Sequence, residues 1–600
     1  MQIVGNAYVD FKLAKWLSYR FNAGIEASFD YTKERRDTGI WRYANQLPST
    51  SISDDRETFT NFLIEHTLNF NKTFRDHSIN GVVGYSYQQE KRTYTSASRL
   101  NLNTINGTTY TTISSALGVP SSGGGVSAFY RLQGYLGRIN YAYKDKYLLT
   151  ASGRIDQDSR FGPNYRTGDF YSIAGSWRIS NEAFFKSNLI NDLKLRASYG
   201  QLGISSSLQA LGGSWPILGY INNNQRAIYG VNQTPVIGES QATINNPDLR
   251  WEQRNETNIG LDAFLLNNRI SVTADVYSNE SKGVLVNVPI AFYLGADIGN
   301  YTATSLANAA SIRNQGVELT VTYRNYLHAL HWDISVNGTT ISNKVISVGN
   351  QGSGINYIEG TDFIRSQVGH PMAAWFMLKT DGIFQTQDQI DNYVNKAGVK
   401  IQPNAKPGDI KYIDLNGDGT INNDDRQFVG SPWPKFQGGL QFNATYKSFS
   451  LNLQLVGVFG YKIYDDIRRN LDSYTQLTNF RKDINPWTST NTNTSDPRLG
   501  LVTDPGINDN NRAESDRWLE NASYLRIRNV QLAYLLPQIF MKRSGFKNAQ
   551  IFVSGQNLFT ITKYKGMDPD VEGAGINQRG LDNGNWPPAR IISFGISADF

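Results

Sequence analysis

No cysteine occurs among the 600 residues, which excludes disulfides, thiol nucleophiles and cysteine-bound metals. Histidine is nearly as scarce. His66, His77, His328, His331 and His370 are the full set, and none stands in a metal-ligand pair or beside a nucleophile signature. His328 and His331 share a predicted turn, where exposed turn residues are the expected reading rather than a metal pair. Long apolar runs are missing as well. The longest, Met372–Leu378, falls far short of the roughly 18 residues a membrane helix needs. Charge of one sign is absent too: the net charge is +6, with Lys and Arg scattered among acids, so there is no basic stripe for nucleic acid. Met1–Asp10 lacks the basic start and apolar stretch of a signal peptide and reads as a strand already under way.

Aromatic residues are plentiful. Tyr, Phe and Trp make up 12% of the chain, and amphipathic rings are what the two membrane interfaces select. A mean hydropathy of -0.42 fits either a soluble protein or a β-barrel, whose strands alternate lipid-facing apolar with lumen-facing polar residues. That alternation is explicit. Leu17, Tyr19, Phe21, Ala23, Ile25, Ala27, Phe29 and Tyr31 take one face, and Ser18, Arg20, Asn22, Gly24, Glu26, Ser28 and Asp30 the other. Glu26, Asp275 and Glu318 fall at inward positions, where a solvated lumen explains them better than a catalytic pair.

Tight turns join such strands in pairs, at Lys447 and Ser448, at Asn267 and Asn268, and near Asp145. Between the pairs lie long segments rich in Asn, Gly, Ser and Thr, at 33–57, 92–127, 203–250, 282–313, 346–434, 462–521 and 557–589. Short and long connections alternate, as in outer-membrane barrels with short periplasmic turns and long external loops. The predicted fold is therefore all-β, a transmembrane antiparallel barrel with about 17 strands. A closed single-chain barrel normally needs an even number, so the expectation is that at least one strand, and whatever precedes it, lies before residue 1. The last strand turns Ile592, Phe594, Ile596, Ala598 and Phe600 outward. A terminal aromatic on an amphipathic strand suits recognition by the outer-membrane assembly machinery, the alternative being an ordinary final strand.

One loop motif carries possible metal chemistry. Asp414, Asn416, Asp418, Gly419, Ile421 and Asp425 have the spacing of a twelve-residue calcium loop. Asp414, Asn416 and Asp418 would converge oxygens on Ca2+, Thr420 would add its carbonyl and Asp425 would close the shell, with Asn422 acting through water. The alternative is a metal-free Asn/Asp/Gly turn. Aspartate at the last position is shorter than the usual glutamate, so millimolar or slightly tighter affinity is expected, roughly 0.1–1 mM. No catalytic constellation emerges, and no substrate-binding residue can be singled out. Trp215, Tyr220, Tyr229, Trp487, Trp518 and Trp586 in the long loops suit either sugar stacking or loop packing.

Seven segments, in order along the chain, resemble the SusC/RagA family of TonB-linked outer-membrane transporters. They are SRFGPNYR (159–166), LRASYGQLG (195–203), NPDLRWE (246–252), KTDGIFQT (379–386), GDIKYIDLNGDGTINNDDRQFVG (408–430) with SPWPK after it, SYLRIRNVQLAYLLP (523–537) and VSGQNLFTITKYKGMDPD (553–570). A small departure is Tyr171-Ser172, where the family usually has Pro-Ser. The resemblance implies that residues 1–600 are a TonB-dependent receptor β-barrel domain, incomplete at its N-terminus, with 346–434 as an extracellular insertion. It implies about 22 strands in the whole barrel, with a plug, a TonB-contacting segment and a signal peptide before residue 1. It also implies a SusD-like lipoprotein partner and TonB-energised import of a glycan or peptide oligomer through the Gram-negative outer membrane, and no enzyme activity. A passive porin or adhesin barrel and a secreted all-β carbohydrate-active enzyme are the competing expectations.

Overall fold

The computed structural model describes the chain except residues 43, 44, 48, 209–214, 220, 232, 242, 290–303, 327, 328, 350–356, 362, 473–478, 501, 502, 505, 506, 538, 540–544, 572, 574, 576, 577 and 600. His328, Tyr220 and Phe600 therefore lie outside the described residues. Eighteen strands of the described chain belong to one large sheet. Two of these, Leu330–Thr340 and Ser342–Ser347, are interrupted only at Ile341 and pair with the same neighbour. Counted as one broken strand they leave the seventeen expected from sequence. Among the described residues no helix is long and apolar enough to cross a membrane.

The chain divides into two compact units, the first Met1–Asn181, Arg196–Thr257 and Ser281–Ala310, the second Glu182–Leu195, Asn258–Glu280 and Ser311–Phe600. The first unit holds β1 (Gln2–Ala14), β2 (Leu17–Arg36), β3 (Ser51–Phe74), β4 (His77–Leu100), β5 (Ser121–Tyr143), β6 (Tyr147–Asp158) and β7 (Thr167–Arg178). Each pairs antiparallel with the next in sequence. Strands β8 (Ile190–Ile204), β9 (Glu252–Leu265) and β10 (Ile270–Pro289) belong to the same sheet. Strand β11 (Thr304–Asn325) has residues 304–310 in the first unit and the rest in the second, which also holds the broken strand β12 (330–347), β13 (Phe436–Tyr446), β14 (Phe449–Phe459), β15 (Tyr524–Leu535), β16 (Asn548–Thr562) and β17 (Ile591–Asp599). The ladders of the second unit are again antiparallel between successive strands.

Two expected loops are largely strand. Residues 33–57 and 92–127 shrink to connections at 37–50 and 101–120, because β3 and β4 each run for 24 residues. A strand needs only about 9–11 residues to cross the apolar band, so these rise well beyond it. Segments 51–58 and 92–100 are polar on both faces but carry β-branched Thr and Ile without Gly or Pro. Polarity there marks departure from lipid rather than the end of the strand. Ile52, fully buried, packs with Leu102 and Ala116 of the connection that caps these strands. Two of the short-side connections, 179–189 and 536–547, are also longer than tight turns.

Aromatic rings gather at the short turns, as an interfacial belt requires. In the first unit Phe74 stacks on His77 at 5.2 Å, His77 meets Tyr143 at 4.9 Å, and Lys72 lies over Trp16 at 5.6 Å. In the second, Phe449 meets Tyr534 at 4.8 Å and Tyr326 meets His331 at 5.9 Å. His77 and His331 are thus belt residues. Outward positions of β17 are bare: Ile592, Phe594 and Ile596 stand 65%, 82% and 74% exposed, as lipid-facing residues do. Inward positions of the second unit carry a polar ladder in which Asn529 donates to Asn452, Asn452 to Asn443, and Asn443 to Asp333. Glu318 borders a polar recess on this wall, whereas Asp275, expected to be solvated, is buried.

Candidate binding site in the long loops

In the second unit the long connections fold into a layer with cores of their own, and residues 408–435 run through it. Asp414 accepts hydrogen bonds from Gly417 N at 2.7 Å and Gly419 N at 2.9 Å. Asn416 accepts from Asp418 N at 2.9 Å, and Asp418 accepts from Thr420 N at 2.8 Å and from the Asn416 amide at 2.9 Å. Gly419 has φ +87, the left-handed backbone that the sixth position of such a loop needs. Asp425 is fully buried and accepts from Leu415 N and Asn422 N, both at 2.8 Å, while Asn422 caps the short 3-10 turn that Asp425 ends.

These contacts bring Asp414, Asn416 and Asp418 into one chain of Asx turns, with Asp425 behind them as an anchor. Among the described residues no group of three His, Cys, Asp or Glu side chains is gathered closely enough to hold a metal ion. Asp425 is turned towards the backbone amides, so the loop keeps its shape on hydrogen bonds alone. The carboxylate oxygens of Asp414 and Asp418 each accept one hydrogen bond and keep a second lone pair, and the donor set is the hard-oxygen one calcium takes.

Three buried polar nodes fix the loops to each other and to strand ends. Asp409, with no exposed surface, pairs with Arg498 at 2.6 Å and accepts from Asn511 at 2.9 Å. Arg526 at the start of β15 is 1% exposed and holds both oxygens of Asp568 at 2.7 Å. Asp465 caps the helix Asp466–Leu471 by accepting from Arg468 N at 2.8 Å. Burial, with Glu520 and Asp582 nearby, pushes the Asp465 carboxyl up to about 6. Unpaired buried charges of this kind are strongly destabilising, so each node depends on its partners.

The loop tryptophans divide accordingly. Trp518 is buried, and Trp487 donates to Gln385 at 2.8 Å, so both pack the layer. Trp215 and Trp586 are exposed, and the side chain of Tyr229 lies outside the described residues. Sequence reasoning passed over His370, Phe428, Trp433 and Tyr461, which line a cavity of about 550 Å³ where β12, β13 and β14 meet the loops. His370 stacks on Phe428 with centroids 3.7 Å apart, and burial with the Lys344 charge holds its pKa below the ordinary value. Trp433 donates to Met372 O at 2.7 Å and Tyr461 to Pro569 O at 2.8 Å. The polar ends of Trp433 and Tyr461 are committed to backbone, so the cavity is lined by their carbon atoms, and Lys435 and Lys462 supply charge with no carboxylate among the described lining residues. Such a surface packs against the apolar face of a sugar ring or a peptide side chain. The signal was present in sequence as HPMAAW and SPWPK, but only the fold brings 370 beside 433.

In the first unit, SRFGPNYR and NPDLRWE form one core. Phe161 meets Trp251 at 4.9 Å, Trp251 donates to Arg166 O at 3.0 Å, and buried Arg160 pairs with Asp158 at 2.5 Å.

Comparison with known proteins agrees with this architecture. Residues 5–373 match the family described as TonB dependent receptor-like, beta-barrel. TonB-dependent receptor P3 of Formosa agariphila is 27% identical over 98% of this chain and 57% of its own length. TonB-dependent receptor SusC of Bacteroides thetaiotaomicron is 29% identical over 78% of this chain and 44% of its own. The fold superposes on the structure of the RagAB peptide transporter with a TM-score of 0.80 and 23% identity, over 100% of this chain and 62% of that one. The chain thus spans about half the length of the curated relatives it matches. The family is one of outer-membrane receptors rather than enzymes. The chain belongs to the TonB dependent receptor-like β-barrel family and is a SusC/RagA-like barrel of the outer membrane.

Proposed function

We propose that this barrel is the membrane-spanning part of a transporter that takes up a peptide or glycan oligomer, energised through TonB and lidded by a SusD-like surface lipoprotein. The observation that carries the reading is the loop layer of the second unit: two buried ion pairs and the capping carboxylate of Asp465 fix the loops that carry an aromatic, lysine-bearing cavity of about 550 Å³ at the strand ends. Rigid loops around a shaped cavity suit capture of a large ligand better than free diffusion of small solutes. Likeness to the RagAB peptide transporter supports a peptide as one such cargo. The test is growth of the source bacterium on oligomers as sole nutrient, with the full-length gene intact, deleted, or intact in a strain lacking TonB. Loss of growth in both altered strains is expected. Unchanged growth without TonB indicates passive flow and overturns the reading.

Calcium occupancy of the 414–425 loop is part of the same proposal. Asp414, Asn416, Asp418, the Thr420 carbonyl and Asp425 would hold the ion, and its role would be to stiffen the external layer. Residue spacing, the left-handed Gly419 and the free lone pairs of the Asx oxygens support it.

A further inference from the structure

A second cavity of the loop layer, about 450 Å³, lies between the tip of the 414–425 loop and Arg512. Buried Ile401, Gln402 and Asn510 line it together with exposed Asn404, Asn422 and Asn423. Its volume falls in the range of roughly 300–1,000 Å³ typical of small-ligand sites. Among the described residues no aromatic ring lines it, and its charge is lopsided: Arg426, Arg469 and Arg512 face a single acid, Glu514.

That acid is already taken. Arg469 holds Glu514 at 2.6 Å and lies 3.5 Å from Asp466. The Arg512 guanidinium makes no ion pair or hydrogen bond among the described residues, and its Nε is buried without a partner. A half-buried cation in this state has lost part of its hydration with nothing in return. Guanidinium offers paired donors matched to a planar oxyanion, and the exposed amides of Asn404 and Asn423 can donate from the rim.

We propose that this cavity is a subsite for a carboxylate borne by the incoming oligomer, with Arg512 as its main ligand. The assignment rests on the reading that the barrel takes up oligomers and adds a preference for acidic ones. The carboxylate belongs either to an acidic sugar or to a peptide, and the test separates these sources. Full-length protein in detergent is titrated calorimetrically with trigalacturonate against trigalactose, and with an acidic tripeptide against its fully amidated form. The acidic member of one pair is expected to bind at least about tenfold tighter than its neutral mate, the equivalent of one charged hydrogen-bonded contact. The pair that shows the difference names the source.

Arg512→Gln should erase the difference while leaving the neutral probe unchanged, Arg512→Lys should keep part of it, and Asn404→Asp should weaken the acidic probe by repulsion at the rim. Because the Arg512 guanidinium makes no ion pair or hydrogen bond among the described residues, the Gln variant is expected to fold. Equal binding of acidic and neutral probes, or an acidic preference that survives Arg512→Gln, overturns the subsite alone. Failure of every oligomer to bind overturns the transport reading with it.

Discussion

Replacing Asp425 by alanine tests whether the 414–425 loop is held by its own hydrogen bonds, and Asp418→Ala separates that from calcium. The Asp425 carboxylate has no exposed surface and accepts two short backbone bonds, from Leu415 N and Asn422 N at 2.8 Å, with Asn416 N at 3.4 Å. A hydrogen bond to a charged group contributes about 1.5–3 kcal/mol net, so losing the pair costs at least about 3 kcal/mol. Local opening should then rise by a factor of roughly 10² or more, since about 1.4 kcal/mol is tenfold. The assay is limited proteolysis of the membrane-embedded protein, following cleavage within 408–430 with calcium or chelator. Asp425→Ala should be cleaved rapidly in both. Asp418 lies in the exposed part of the turn and bonds only to its neighbours Thr420 and Asn416, so Asp418→Ala should differ from the natural chain only when calcium is present. A protected loop in Asp425→Ala refutes the hydrogen-bond reasoning. Equal cleavage of natural and Asp418→Ala chains in calcium refutes the metal.

The buried Asp465 carboxyl makes the loop layer pH-dependent. Its folded pKa of about 6 lies above the ordinary 3.8, so the native state binds the extra proton between these values and stability falls as pH rises through 6. Asp465→Asn keeps an oxygen to cap Arg468 N and removes the charge. It should therefore strengthen the layer at neutral pH by up to about 3 kcal/mol and match the natural chain below pH ~4, read by hydrogen exchange over 462–471. A slope unchanged by the substitution counts against the burial argument. In the first unit, a Cβ on Gly162 would sit 1.7 Å from Pro247 O, whereas one on Gly153 meets nothing within 4 Å. Gly162→Ala should cost about 1–3 kcal/mol and lower the temperature at which the folded band is lost on a gel, with Gly153→Ala as the silent control. Equal temperatures would show that the two segments do not pack as described.

The strands were legible because each has two environments with a sharp boundary. Phe594 and Ile596 face lipid while Ser593 and Ser597 face the other way, and that alternation survives in the residue order. Strand ends above the membrane were not legible, since 51–58 and 92–100 are mostly polar apart from buried Ile52 and backbone pairing carries the strands on. The loop layer was least legible. Asp409 finds Arg498 across 89 positions, and Arg526 finds Asp568 across 42, and no local rule couples residues so far apart. The calcium-type spacing was local and visible, yet it specifies the Asx turns equally well, because the same oxygens serve backbone amides and a cation.

The family-like segments acquire a physical meaning once their partners are known. Phe161 and Gly162 of one lie against Trp251 and Pro247 of another, and Arg526 of a third holds Asp568 of a fourth. Asp409, in the 408–435 segment, is fixed by Arg498 and Asn511. These residues are spent on holding loops in place, so they mark the architecture and say nothing of cargo. Both loop cavities are built from one wall of that kind and one that is not. Phe428 and Trp433 face His370 in the larger, and Thr420 to Arg426 face Arg512 and Asn404 in the smaller. His370, Asn404 and Arg512 belong to none of the family-like segments, so they are free to vary without loosening the nodes. On the proposed transport reading, exchanging those three side chains should move specificity while the barrel still assembles.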